Sequence, residues 1–119
     1  MRKEADVPAT YEDANLIVQL LRWGTDLRLP EAVGAVMADS YDADSATSDD
    51  PAVRSLLLFG ETIGTLGKQD VLDRGLVFDL WWVEGIWNKV GPPALRLRER
   101  VGEPRLYENF EALAAGAPS

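Results

Sequence analysis

A chain of 119 residues, 46% hydrophobic and 27% charged, fits one globular domain with a single core and excludes a disordered chain. Its net charge of −8 opposes nonspecific attraction to nucleic-acid phosphates or anionic membranes. Having neither cysteine nor histidine, it has no disulfides, no thiolate chemistry, no Ser-His-Asp triad and none of the usual zinc ligands.

The opening MRKEADVPAT has no apolar stretch behind its basic residues, so it does not read as a secretory signal. Residues 1–9 are expected to form a tail. Thr10 followed by Asp13 resembles a capping box and predicts a helix from about Tyr11. Ile17, Leu20, Leu21 and Gly24 recur at helical spacing, and Gly24 can end it. Pro30 suits the first position of a second helix, which turns Val33, Val36 and Met37 inward and ends near Ser40.

The stretch SYDADSATSDDP reads as a loop, and 41–50 is expected to be acidic and mobile. Asp39, Asp42, Asp44, Asp49 and Asp50 fall within one short stretch; removing their five charges from −8 leaves −3 on the remainder. An EF-hand register from Asp42 fails at Ala46, Thr47 and Val53. Asp50 then caps a third helix from Pro51 to about Gly67. Val53, Leu57, Gly60 and Gly64 form one stripe on it, flanked by Leu56, Phe59, Ile63 and Leu66. Two glycines in a helix interior cost about 1 kcal/mol each, so Gly60 and Gly64 predict a bulky neighbour lying across them, expected to be an indole. The apolar run 56–59 is far short of the roughly 20 residues that span a bilayer.

Asp70 is expected to cap a short turn ending at Gly75. Next, GLVFDLWWVEGIWNKVG carries three of the four tryptophans. Leu76, Leu80, Val83, Trp87 and Val90 form one helical stripe; Phe78, Trp82 and Ile86 form a second, and Val77 and Trp81 widen the surface. Asp79, Glu84, Asn88 and Lys89 remain polar. A helix apolar around most of its circumference belongs at the centre of a bundle. The prolines after Gly91 predict a stop there, a fifth helix over 92–101 burying Ala94, Leu97 and Val101, and a sixth over 104–114 burying Leu106, Tyr107, Phe110 and Leu113. Residues 115–119 read as a tail. The fold class expected is all-α: a compact single-domain bundle of five or six helices around a central Trp-rich helix.

Trp81, Trp82 and Trp87 are either core filling or the centre of a homodimer or protein–protein interface, where aromatic residues are enriched. A small-molecule pocket lined by them, with Asp79, Glu84 or Asn88 as polar contacts, is a further alternative. Glu108 with Glu111, and Asp70 with Asp73, place acids three apart as in helical metal-dependent nucleotide hydrolases. On an amphipathic helix the glutamates look solvent-facing, so no metal or cofactor is assigned. Arg96 and Arg100, four apart in ALRLRERVG, are candidates for an anion site, or else a solvated face. No phosphate-cradling glycine loop occurs.

LLLFGETIGTL, DRGLVFDLWW with Trp87 beyond it, Arg98, and the ending Tyr107-Glu108-Asn109-Phe110-Glu111-Ala112-Leu113 together resemble a bacterial family of small helical proteins known only as a domain of unknown function. The resemblance covers about residues 51–114. It implies a shared helical fold rather than an activity. The expectation is a non-enzymatic, cytoplasmic, protein-interacting or self-associating module, with a metal-dependent phosphate hydrolase and a small-molecule binder as alternatives.

Overall fold

A computed structural model describes residues 8–118. The expected tail over 1–9 therefore falls largely outside the described residues, as does Ser119. Among the described residues there are six helices and no strand: α1 (Tyr11–Asp26), α2 (Leu29–Met37), α3 (Pro51–Lys68), α4 (Arg74–Leu80), α5 (Val83–Val101) and α6 (Glu108–Ala115). The all-α, single-domain architecture is the one the periodicity predicts.

Local capping sets the starts of three helices. Thr10 and Asp13 form a reciprocal capping box on α1, and the Asp50 carboxylate accepts from the amides of Ala52 and Val53. Asp73 caps α4, accepting from the Leu76 amide, and the short turn expected behind an Asp70 cap has no Asp70 side-chain hydrogen bond among the described residues. Gly24 does not end α1, which runs on to Asp26.

The centre of the bundle is α3, not the tryptophan segment. It packs against α2, α5 and α6 and buries Val53, Leu56, Leu57, Phe59 and Ile63. The tryptophan segment cannot be the central helix because it is two helices. Trp81 is extended (φ −139°, ψ 134°), and Trp82 (φ −81°, ψ 73°) is the middle of an inverse γ-turn closed by the Val83 amide on the Trp81 carbonyl at 2.9 Å. On one continuous helix the two indoles would point about 100° apart. The break instead lets Trp81 enter the core while Trp82 folds back over Gly85, which has no Cβ to obstruct the ring.

The helix that follows does not stop at Gly91. Pro92 and Pro93 lie inside α5, where each removes an amide donor and leaves the carbonyl four residues earlier without its helical partner. For Pro93 that carbonyl belongs to Lys89, and the Tyr41 hydroxyl donates to it at 2.6 Å. For Pro92 it belongs to Asn88, an exposed residue. The Tyr41 hydroxyl thus offsets the donor that Pro93 removes. Ala94 is buried and Leu97 half-buried, as the pattern predicts, but Val101 is exposed at the helix end.

Helix α6 starts at Glu108, later than expected, with Leu106 and Tyr107 half-buried ahead of it. Its N-cap, Tyr107, has a left-handed backbone (φ 60°) and offers no side-chain cap. The cap comes from α3: Glu61 Oε1 accepts from the amides of Asn109 and Phe110 at 3.0 and 2.9 Å. A Cβ on Gly60 would strike the Phe110 ring, and one on Gly64 would strike the Asn109 carbonyl. The bulky neighbour predicted across the glycines exists, but it is Phe110 rather than an indole.

Candidate binding groove

Five aromatic rings run through the core as a column. Trp23 contacts Phe59 (5.6 Å between centroids), Phe59 contacts Trp81 (5.2 Å), Trp81 contacts Phe110 (5.7 Å) and Phe110 contacts Trp87 (5.1 Å). Such pairs add about 0.5–1.5 kcal/mol each beyond area burial. Two members of the tryptophan cluster, Trp81 and Trp87, thus belong to this column, whereas Trp82 is 67% exposed.

Beside Phe59 and Trp81, partway along the column, lies a groove of about 340 Å³ between α1, α2, α3 and α4. One wall is the α1 stripe Ile17, Leu20, Leu21 and Gly24; Leu29, Pro30 and Val33 of α2 face it, Phe59 and Ile63 form the floor, and Val77, Leu80 and Trp81 close the far side. The side-chain polar groups of the lining are the Trp81 indole N–H and the Thr25 hydroxyl, which donates to the Leu21 carbonyl at 3.3 Å. No ionisable side chain lines the groove. Its lip is apolar as well: Val18, Leu21 and Leu80 are each more than half exposed. Of the candidate site residues named from the sequence, Trp81 alone lines it. The lining of α1 was visible as a helical stripe, but a stripe of that kind reads as core. Nothing local shows that part of it lacks a covering element.

The remaining candidate residues lie elsewhere. Asp79, Glu84 and Asn88 are exposed and outside the groove lining, and no indole N–H donates to Asp79 or Glu84 among the described residues. The expected polar contacts of a tryptophan pocket therefore do not converge. Arg96 fastens the acidic loop: its Nη2 donates to the carbonyls of Ala43 and Ala46 at 2.7 and 2.6 Å. The loop expected to be mobile is thereby tied to α5 by both Arg96 and Tyr41. Arg100 is exposed and makes no ion pair among the described residues.

Three of the four acids considered for metal binding have protein partners, and the fourth, Asp70, is exposed with no side-chain partner among the described residues. Arg105 holds Glu108 through Nε and Nη2, at 2.9 Å for the shortest contact, and this hydrogen bonding pulls the Glu108 pKa below its usual value. Arg98 Nη2 lies 2.9 Å from Glu111 Oε1, off hydrogen-bond alignment, while its Nε donates to the Leu106 carbonyl at 2.6 Å. Asp73 caps α4, and its own amide donates to the buried Asp13 carboxylate at 3.0 Å, fastening α1 to the start of α4. Among the described residues no three His, Cys, Asp or Glu side chains are grouped to hold a metal ion. No described helix is long and apolar enough to cross a membrane.

Residues 20–116 match the family described as Domain of unknown function (DUF4760). The chain belongs to this family. The match extends well upstream of the resemblance seen over 51–114, taking in part of α1, all of α2 and the acidic loop, and it includes most of the groove lining. No curated protein and no solved structure is significantly similar to the chain. The family membership agrees with the helical fold and carries no activity with it.

Proposed function

We propose that this protein is a non-enzymatic interaction module that holds a partner protein in the apolar groove between α1, α2, α3 and α4. The observation behind this reading is the groove's lining. Thirteen residues surround the groove, none of them ionisable, so it provides affinity through burial and has no general acid, base or nucleophile for chemistry. The exposed Val18, Leu21 and Leu80 extend the apolar surface past the cavity. A small ligand confined to 340 Å³ would leave that lip in water, whereas a polypeptide lying along the groove would cover both.

The test is an NMR titration of labelled protein with an 18-residue helical peptide carrying leucine on one face and glutamine on the other. Shifts are expected at the Trp81 indole and along α1, α2 and α4, and to be lost in Leu21→Asp. No shift at millimolar peptide would refute the reading. Self-association remains a second form of it: Tyr11, Ala14, Val18 and Leu21 are exposed on α1 at alternating spacings of three and four, so a second copy could supply the covering helix.

A further inference from the structure

We infer that the groove's occupant is a cationic amphipathic helix of another protein, rather than a second copy of this chain or a small apolar ligand. The inference rests on the groove being a protein-binding site and adds the chemistry of the partner.

Shape favours a helix. The α1 wall is Ile17, Leu20, Leu21 and Gly24, with α2 opposite and α4 at the end, so the groove runs between helices and offers apolar walls with no unpaired strand edge. Helix-in-groove recognition uses this arrangement: a partner's residues at i, i+3, i+4 and i+7 enter the trough while its polar face stays in water. The exposed Val18 and Leu80 on the lip would meet the next apolar positions of such a helix.

Charge chooses among partners. Asp26 follows the lining residue Thr25 directly, and Asp79 precedes the lining residue Leu80; both are exposed and neither forms an ion pair among the described residues. Glu31, beside Pro30, is already paired with Arg28 at 3.1 Å. Arg22, beside Leu21, is a cation next to the lining with no ion pair among the described residues. The balance at the lip is acidic, as is the whole chain at −8. Two copies bring the same acidic residues to the groove and repel as they approach, while a positively charged helix is drawn in and its flanking Lys or Arg side chains meet Asp26 and Asp79. At physiological salt this field reaches about 8 Å, enough to act at a lip though not across the molecule.

The experiment compares three peptides with the same leucine face and lysine, glutamine or glutamate on the other, titrated against the full chain at 50 mM and 500 mM NaCl. The lysine peptide is expected to bind at least about fivefold tighter than the glutamate peptide at low salt, with most of the difference lost at high salt. Asp26→Asn with Asp79→Asn should shrink the difference while leaving the glutamine peptide's affinity unchanged. Both aspartates are exposed, so the double variant should fold. Equal binding of the lysine and glutamate peptides would overturn the cationic partner and leave the groove's role intact. Failure of all three would overturn both. A concentration-dependent dimer abolished by Leu21→Asp would assign the groove to a second copy, and dodecyl maltoside displacing the peptides below its critical micelle concentration would assign it to an acyl chain; either result would overturn the inference.

Discussion

Where α3 meets α6, Gly60 and Gly64 bring the backbones together, Phe110 fills the gap, and Glu61 caps the incoming helix. Where α3 faces α1, Phe59 and Ile63 are floored with equally apolar neighbours, yet a groove of about 340 Å³ remains and leucines stand at its lip. The two regions draw on similar residues and differ in whether a covering element closes over them. A sealed contact is stabilised by close packing and by satisfied amides. The unsealed one leaves apolar surface in water, a free-energy cost that binding can recover. Stability should therefore be concentrated on the α6 side of α3 and recognition on the α1 side.

Five substitutions probe that division, in decreasing order of effect. Gly60→Leu drives a side chain into the Phe110 ring and should cost about 3 kcal/mol or more, read as a lowered midpoint in urea, or prevent folding altogether. Glu61→Ala removes the cap from the amides of Asn109 and Phe110; a loss of about 2 kcal/mol is expected, with hydrogen exchange accelerated first in α6. A loss confined to a few tenths of a kcal/mol would mean that α6 is not held through its cap.

Tyr41→Phe leaves the Lys89 carbonyl unpaired beside Pro93 and should cost about 1 kcal/mol at neutral pH. It also changes the pH dependence. Burial, reinforced by Asp50 and Asp42 and opposed by Arg96, raises the Tyr41 pKa above 10.0. The folded state thus holds the phenolic proton more tightly than the unfolded chain does. Its contribution is complete below about pH 10 and is lost as pH rises through the folded value, when the phenolate can no longer donate. Alkaline unfolding curves of the wild type and Tyr41→Phe should converge above that point.

Gly34 faces open space in α2, so Gly34→Ala should raise stability by about 0.5–1 kcal/mol through helix propensity and chain entropy. The smallest thermodynamic effect belongs to Leu21→Asp, expected within about 0.5 kcal/mol of wild type because the residue is more than half exposed. If Leu21→Asp instead destabilised the fold as Gly60→Leu does, the groove would be part of the sealed core and the contrast between the two sides would fail.

Much of the architecture was legible from local signals. Thr10 with Asp13, Asp50 before Pro51, and the stripe through Val53, Leu57, Gly60 and Gly64 all involve groups a few residues apart, so their chemistry is complete within a window. The misreadings share a cause. A proline pair breaks a helix unless something distant satisfies the carbonyl it orphans, and Tyr41 lies 48 residues from Lys89. A tryptophan pair in an apolar run reads as one helix, because nothing nearby says that Phe59 and Phe110 will draw Trp81 inward and leave Trp82 outside.

By itself, then, the sequence determined the helical class, most helix starts, the inward faces of α2 and α3 and the need for something to cover Gly60 and Gly64. Hydrogen bonds between near neighbours and a period of 3.6 residues carry that information. Tertiary structure alone decided that Glu61 caps α6, that Tyr41 rescues a proline-interrupted helix, and that a groove stays open between α1 and α4 with Leu21 and Leu80 exposed at its lip. These outcomes depend on which side chains meet across tens of residues, and a residue's apolar character does not reveal whether its neighbour in space will be protein or water.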